Sequence, residues 1–241
     1  MIPTAEQLDA LFRAGTMKRL GIGSRRACYA IPGADLCVKC YRSDEEIAEG
    51  KCPGCLPVIP LAPSVIREIR KCRFDERRNT CCQEYRYWQA LRDTLPADLV
   101  AIFPETLVSV CLPSRGWSLV ESRIANADGS PAKRFHEVWL HASVKDRCRL
   151  VNAFAALVDG FCHYAVRFFD PPNLLVQRCA DGAFRLRIVD FEPASRTLLP
   201  LDRLSPFFIR RKVMHRFAHY GKVFGIGEMY DDALKGKGRS A

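Results

Sequence analysis

A single lysine sits inside an otherwise uncharged, largely apolar run, Leu36-Cys-Val-Lys-Cys-Tyr41, and it constrains the fold more than any other feature of the chain. The run follows a Pro32-Gly33 turn signal and reads as a strand. An ammonium group among apolar strand residues needs a reason, because lysine is rarely buried unpaired. Either the strand lies at a sheet edge, where the charge blocks strand addition, or the lysine works on an anion and a carboxylate from another element holds it in place.

The neighbouring segments supply both a loop and a carboxylate. Upstream, Gly21-Ile-Gly23 precedes a strand over Ala27 to Ile31, so the two strands form a hairpin with a glycine loop on its entry side. Residues 43–63 hold Pro53-Gly54, Pro57, Pro60 and Pro63 and read as an irregular insertion. Ser64 is expected to cap a helix over Val65 to about Arg78. Thr80-Cys-Cys-Gln83 has capping-box spacing and opens a helix through Leu91. On that helix Cys81, Tyr85 and Trp88 share a face, with Glu84 on the adjoining stripe.

The rest of the chain predicts a short helix over residues 5–14 and strands over 98–103, 107–112 and 117–121. Residues 137–163 are the strongest helical region, where Leu150, Val151, Phe154, Leu157, Val158 and Phe161 recur at helical spacing. Asp170-Pro-Pro-Asn173 then leads into a strand over 174–176. A turn at Ala180-Asp-Gly182 is followed by a strand over 184–189 ending in Asp190-Phe191-Glu192, and a last helix covers about 206–217. The pattern is α+β in two lobes. Residues 1–120 form a β-rich first lobe and residues 121–241 a reduced, mainly helical second lobe.

Taken in order, these residues suit a nucleoside triphosphate. Gly21 and Gly23 let backbone N–H groups approach phosphates. Lys39 offers a point charge to phosphate oxygens and Glu84 orients it. Asn173 and Asp190 carry oxygens of the kind Mg²⁺ prefers. The order and roles follow the phosphoryl-transfer scheme of protein kinases. Singly, each residue has a plainer explanation: a turn, an edge charge, a surface helix residue, a loop cap.

The chain resembles the bacterial PhoP regulatory network family of the YrbL type, which is similar in fold to protein kinases. The resemblance rests on Leu20-Gly-Ile-Gly-Ser-Arg-Arg-Ala-Cys-Tyr-Ala-Ile-Pro32, Cys37-Val-Lys-Cys-Tyr41, Gln83-Glu-Tyr-Arg-Tyr87, Pro172-Asn-Leu-Leu-Val176 and Val189-Asp190. It covers residues 18 to 200 or so and implies a two-lobed kinase-like protein that binds ATP and Mg²⁺. Two departures bear on activity. Kinases carry an Asp five residues before the metal-binding Asn, and Phe168 stands there; Asp170 is the nearest substitute base. Glu192 stands where kinases follow Asp-Phe with Gly. The stretch after Asp190 is also short for a peptide-docking platform. The expected acceptor is therefore a non-peptide molecule or the chain itself. The alternative is a catalytically silent, pseudokinase-type regulatory adaptor.

Charge and cysteine content add a third reading. Lys and Arg exceed Asp and Glu by 10, which favours an anionic partner without naming it. The 12 cysteines include Cys37-Val-Lys-Cys40 and Cys52-Pro-Gly-Cys55, paired like a zinc ribbon. Residues three apart on a strand point to opposite faces, so Cys37 and Cys40 are not expected to converge. Cys52 and Cys55 remain candidate Zn²⁺ ligands, in a protein that would then be a zinc-stapled nucleic-acid binder. Nucleic acid is not the expected partner; a nucleotide and an unknown anionic or protein partner are. With no apolar leader and no run long enough to span a membrane, the expected location is cytoplasmic.

Overall fold

The computed structural model describes residues 2–50, 60–164, 166, 171–191 and 206–224. It is a mixed α+β protein whose chain divides into two compact units. The first comprises Met1–Asp93 and Pro104–Arg123, the second Thr94–Phe103 and Ile124–Ala241. Among the described residues, no helix is long and apolar enough to cross a membrane.

The first unit is built on a five-stranded antiparallel sheet. Its strands are β1 (Lys18–Ile22), β2 (Arg26–Ala30), β3 (Leu36–Tyr41), β4 (Thr106–Leu112) and β5 (Gly116–Ser122), in the order β1-β2-β3-β5-β4. The lysine strand is thus the central one, and the edge-strand explanation of Lys39 falls. Strand alternation separates two faces. One carries Ile22, Ala27, Tyr29, Val38, Cys40 and Val120, which pack with Leu8, Leu11 and Phe12 of α1 (Ala5–Arg13) into an apolar core. The other carries Arg26, Cys28, Cys37, Lys39, Tyr41 and Glu121, as the pairings Arg26↔Tyr41, Cys28↔Lys39 and Cys37↔Glu121 require.

Helices α2 (Asp44–Ala48), α3 (Pro63–Cys72) and α4 (Thr80–Thr94) complete this unit. Three expectations change here. The stretch 43–63 is not irregular at its start, because Ser43 caps α2 by accepting from the Glu46 amide, with the Glu46 side chain reaching back to the Ser43 amide. The α3 helix starts at Pro63 with Ala62 as N-cap and no side-chain cap, so Ser64 lies inside it, and it ends at Cys72 rather than Arg78. The cap of α4 is Asn79, not Thr80. Its Oδ1 accepts from the Cys81 amide at 2.8 Å, while Nδ2 lies 3.1–3.2 Å from the carbonyls of Cys72, Arg73 and Trp117. One buried amide therefore ends one helix, starts the next and fixes both to β5. Gly116, at φ +74°, is required nearby, since a Cβ there would sit 2.3 Å from the Arg73 carbonyl oxygen.

The second unit holds α5 (Ala97–Val100), the three-stranded sheet β6 (Lys133–Arg134), β7 (Leu174–Arg178) and β8 (Phe184–Ile188), and helices α6 (Phe135–His141), α7 (Val144–His163) and α8 (Pro206–Phe224). Residues 98–103 are not a strand. Pro96 opens a single helical turn with Asp98 at its start, and the chain then bends to Phe103. The helical region expected over 137–163 is made of two helices, because Ser143 breaks the run and caps α7 by accepting from the Asp146 amide. The apolar stripe of α7 is buried as expected. Phe103 stacks on Phe161, with ring centroids 6.3 Å apart, and meets the Phe191 ring edge-on at 4.9 Å.

Candidate functional site

Lys39 is 4% exposed and its Nζ meets two carboxylates. Glu84 Oε1 accepts at 2.9 Å and Glu121 Oε1 lies at 3.1 Å. Sequence position explains the geometry. The first turn of α4 is tied to β3, because Thr80 donates to the Tyr41 hydroxyl at 3.2 Å and the Cys81 thiol to the Lys39 carbonyl at 3.5 Å. One turn further along α4, Glu84 comes over the Lys39 side chain. Glu84 is at the centre of the buried face of α4, with Cys81, Trp88 and Leu91, whereas Tyr85 is only half-buried.

Two further residues join the cluster that sequence reasoning did not single out. Arg26 donates from Nη1 to Glu84 Oε2 at 2.6 Å. Glu84, itself 0% exposed, is thus shared between two cations on its two oxygens. Glu121 is brought in by the sheet register, opposite Cys37 and diagonal to Lys39. The signal for both was the alternation of the strands: Arg26 shares its face with Cys28, and Glu121 with Leu119. Buried ions persist where opposite charges meet, as the Arg26 and Lys39 cations do the Glu84 and Glu121 carboxylates here.

The loop between β1 and β2 is closed by the Gly23 amide donating to the Arg26 carbonyl at 2.7 Å. Neither Gly21 nor Gly23 has a left-handed φ. A Cβ on Gly21 would meet nothing within 4 Å, and one on Gly23 would make an ordinary 3.6 Å contact with that carbonyl. Local backbone and packing therefore require glycine at neither position among the described residues. Both lie in the first unit, with Lys39 and Glu84.

Asn173 and Asp190 come together in the second unit. The 3₁₀ turn Pro171–Asn173 meets the end of β8, where the Val189 amide donates to the Asn173 carbonyl at 3.0 Å and Asn173 Nδ2 to the Asp190 carbonyl at 3.4 Å. Asp190 has φ +54°, the one left-handed non-glycine residue among those described. That conformation carries a penalty, and it is held from both sides, by Asn173 before it and by the fully buried Phe191 after it.

Phe168, Asp170, Glu192, Cys52 and Cys55 lie outside the described residues. Cys37 and Cys40 face opposite sides of the sheet, Cys37 toward Glu121 at 3.8 Å and Cys40 into the α1 core. Burial pushes the Cys40 and Cys81 thiols up to about 12. The Cys37 thiol is also held well above its ordinary value, by its hydrogen bond with Cys28, then by burial and the Glu121 charge. No three Cys, His, Asp or Glu side chains are grouped to hold a metal among the described residues.

The family model of the PhoP regulatory network protein YrbL matches residues 16–223 of the chain. No curated protein matches it.

Proposed function

The chain belongs to the PhoP regulatory network protein YrbL family, and from that premise we propose that it is a two-lobed, kinase-like protein that binds ATP and Mg²⁺. The observation that carries the proposal is the buried Lys39–Glu84 pair, 2.9 Å long, between a central strand and a helix. A lysine held by a helix carboxylate on a glycine-looped hairpin is an anchor for phosphate oxygens. The two glycines support it, since among the described residues a Cβ on either would meet no close neighbour.

Asn173 Oδ1 and the Asp190 carboxylate are the oxygen donors that would hold Mg²⁺, a cation that takes oxygen ligands alongside phosphates. Their fit rests on the clamp between the 3₁₀ turn and β8, which fixes both residues at one place, and on the left-handed Asp190. When bound, Mg²⁺ would neutralise charge on the phosphate oxygens. Lys39 would neutralise phosphate charge in the first unit, while Glu84, itself bonded to Arg26, keeps it oriented.

Transfer of a phosphoryl group to a non-peptide acceptor, or to the chain itself, would require a base, and Asp170 is the residue assigned to it. The alternative is a silent adaptor that keeps the ATP site, and Phe168 at the usual base position favours it. Calorimetry with ATP, with and without Mg²⁺, tests the binding proposal. Binding that weakens without Mg²⁺ supports it, and no ATP binding by the wild-type protein overturns it. Autophosphorylation or ATP hydrolysis lost in Asp170→Asn would then select the enzyme; ATP left intact, with Asp170→Asn equal to wild type, would select the adaptor.

A further inference from the structure

In the first unit, buried cations meet carboxylates: Arg26 and Lys39 meet Glu84, and Arg115 meets Glu46. Arg187, on β8 of the second unit, is half-buried without one. Its Nη2 donates to the Phe103 carbonyl at 3.3 Å, and its Nε, out of solvent, has no hydrogen-bond partner among the described residues. It is in no ion pair with a described Asp or Glu. Burial pushes its pKa below the ordinary arginine value, the Arg185 charge pushes the same way, and the Cys179 thiol pushes back. A guanidinium drawn out of water with no counter-charge is costly to fold around.

Sheet register gathers two more arginines beside it. Leu175 of β7 pairs with Arg187 on one side and with Arg134 of β6 on the other. Directly opposed residues of antiparallel strands share a face, so Arg134, Leu175 and Arg187 form a row across three strands. Arg185, opposite Gln177, is on the same face two residues along β8. Neighbouring strands lie about 4.8 Å apart and alternate residues of one strand about 7 Å apart, which sets three long basic side chains around one patch. Among the described residues, neither Arg134 nor Arg185 is in an ion pair. Glu137, the acid nearest Arg134 in sequence, accepts at 3.1 Å from its backbone amide. The Gln177 amide is spent on the Ala125 carbonyl at 2.7 Å.

We infer that this face of the β6–β7–β8 sheet is a phosphate-binding site, with Arg134, Arg185 and Arg187 as its donors. Three guanidinium forks match a tetrahedral anion with two or more negative charges, whereas a single carboxylate would leave most of the positive charge unanswered. The site lies in the second unit and is independent of Lys39 in the first. It gives part of the chain's excess of 10 positive charges a use. One residue pair, Leu174↔Ile188, separates the row from the clamp between Asn173 and Asp190. The phosphate belongs either to the proposed nucleotide or to a separate ligand, and the chemistry that recognises it is the same.

The test is calorimetry on the full chain at constant ionic strength, with inorganic pyrophosphate and, separately, with ATP and Mg²⁺. The proteins are wild type, Arg134→Gln, Arg185→Gln, Arg187→Gln and, as a charge control, Arg77→Gln, which replaces an exposed arginine of the first unit. Each is checked for an intact thermal transition. Arg185 is exposed, so its replacement carries the test if Arg187→Gln fails to fold. The expected result is that wild type binds pyrophosphate, that Arg134→Gln and Arg185→Gln each weaken it about tenfold, and that Arg77→Gln equals wild type. Given that result, ATP weakened in the same variants identifies the nucleotide as the source of the phosphate, and ATP bound equally by all identifies a separate ligand. No pyrophosphate binding by wild type overturns the site. Binding that the three replacements leave unchanged, or that Arg77→Gln weakens as much, overturns it too. ATP binding by wild type alone decides the nucleotide reading, so the two fail separately.

Discussion

Lys39 reaches Glu84 across 45 residues of chain, and the 2.9 Å contact joins two side chains that are almost entirely out of solvent. Removing either leaves a buried charge that has lost one of its partners, so the pair helps to hold the fold of the first unit.

Replacing Glu84 by Gln leaves Arg26 and Lys39 facing each other over a neutral amide. The expected loss is about 3–5 kcal/mol of unfolding free energy, read from urea denaturation. Adding Arg26→Met to that variant should cost far less than it does in the wild type, with a coupling of about 1 kcal/mol or more. Additive losses would show that the Arg26–Glu84 contact carries no energy in solution.

The glycines separate fold from function. Gly116→Ala puts a Cβ against the Arg73 carbonyl at a left-handed φ and should destabilise by about 2 kcal/mol or more. Gly21→Ala and Gly23→Ala meet no such obstacle and should leave the melting temperature within a few degrees of wild type. Their ATP affinity should nevertheless fall. Thermal melts run beside calorimetry give both quantities on the same samples.

Asp190 can be divided in the same way. Asn tolerates left-handed backbone nearly as well as Asp, and Ala does not. Asp190→Asn should melt close to wild type, whereas Asp190→Ala should lose about 1 kcal/mol. Both remove a carboxylate, so both should lose the Mg²⁺-dependent part of ATP binding. Retained Mg²⁺ dependence in Asp190→Asn would remove this residue from the metal site.

Asp9 gives the first unit a dependence on acid. Its carboxylate is 1% exposed, and burial by itself would raise its pKa. Hydrogen bonds from the Ser114 hydroxyl and amide, together with the Arg13 guanidinium, outweigh burial and hold it below the ordinary carboxylate value. The stabilisation is fully present above the ordinary value of about 4 and is lost as pH falls through the lower folded one. Asp9→Asn should therefore melt lower than wild type at pH 7, with the gap closing below about pH 4. A gap that stays constant down to pH 3 would assign the effect to packing.

Much of the first unit was legible because its signals are local. The β3 strand begins and ends where the Pro32-Gly33 turn and the apolar run place it, and Glu84 lies on the helix predicted for it. What the sequence hid was set by distant contacts. Asn79 looks like a loop residue until the carbonyls of Cys72, Arg73 and Trp117 surround it. Residues 98–103 read as a strand by composition, but Pro96 turns them into a helical turn whose Leu99 packs tightly against Gly160. The break at Ser143 was not marked within the helical region expected over 137–163. Arg26 fell just outside the strand expected over 27–31, and Glu121 was visible only as the end of a strand; its place beside Lys39 depends on a register that brings β5, not β4, beside β3.

That strand order has a consequence for how the protein comes to be made. The chain leaves the first unit at Asp93, contributes Thr94–Phe103 to the second, and returns for β4 and β5. On the ribosome, β3 emerges long before β5, the strand that will lie beside it in the sheet, and Lys39 waits for Glu84 and then for Glu121. A nascent chain stopped near residue 93 has three strands of five and an exposed β3 edge. The sheet, and with it the charge cluster, closes only after a piece of the other unit has already been synthesised. Neither unit is an uninterrupted stretch of translation: the first is complete at Arg123, when Thr94–Phe103 of the second has been made and Ile124–Ala241 has yet to follow.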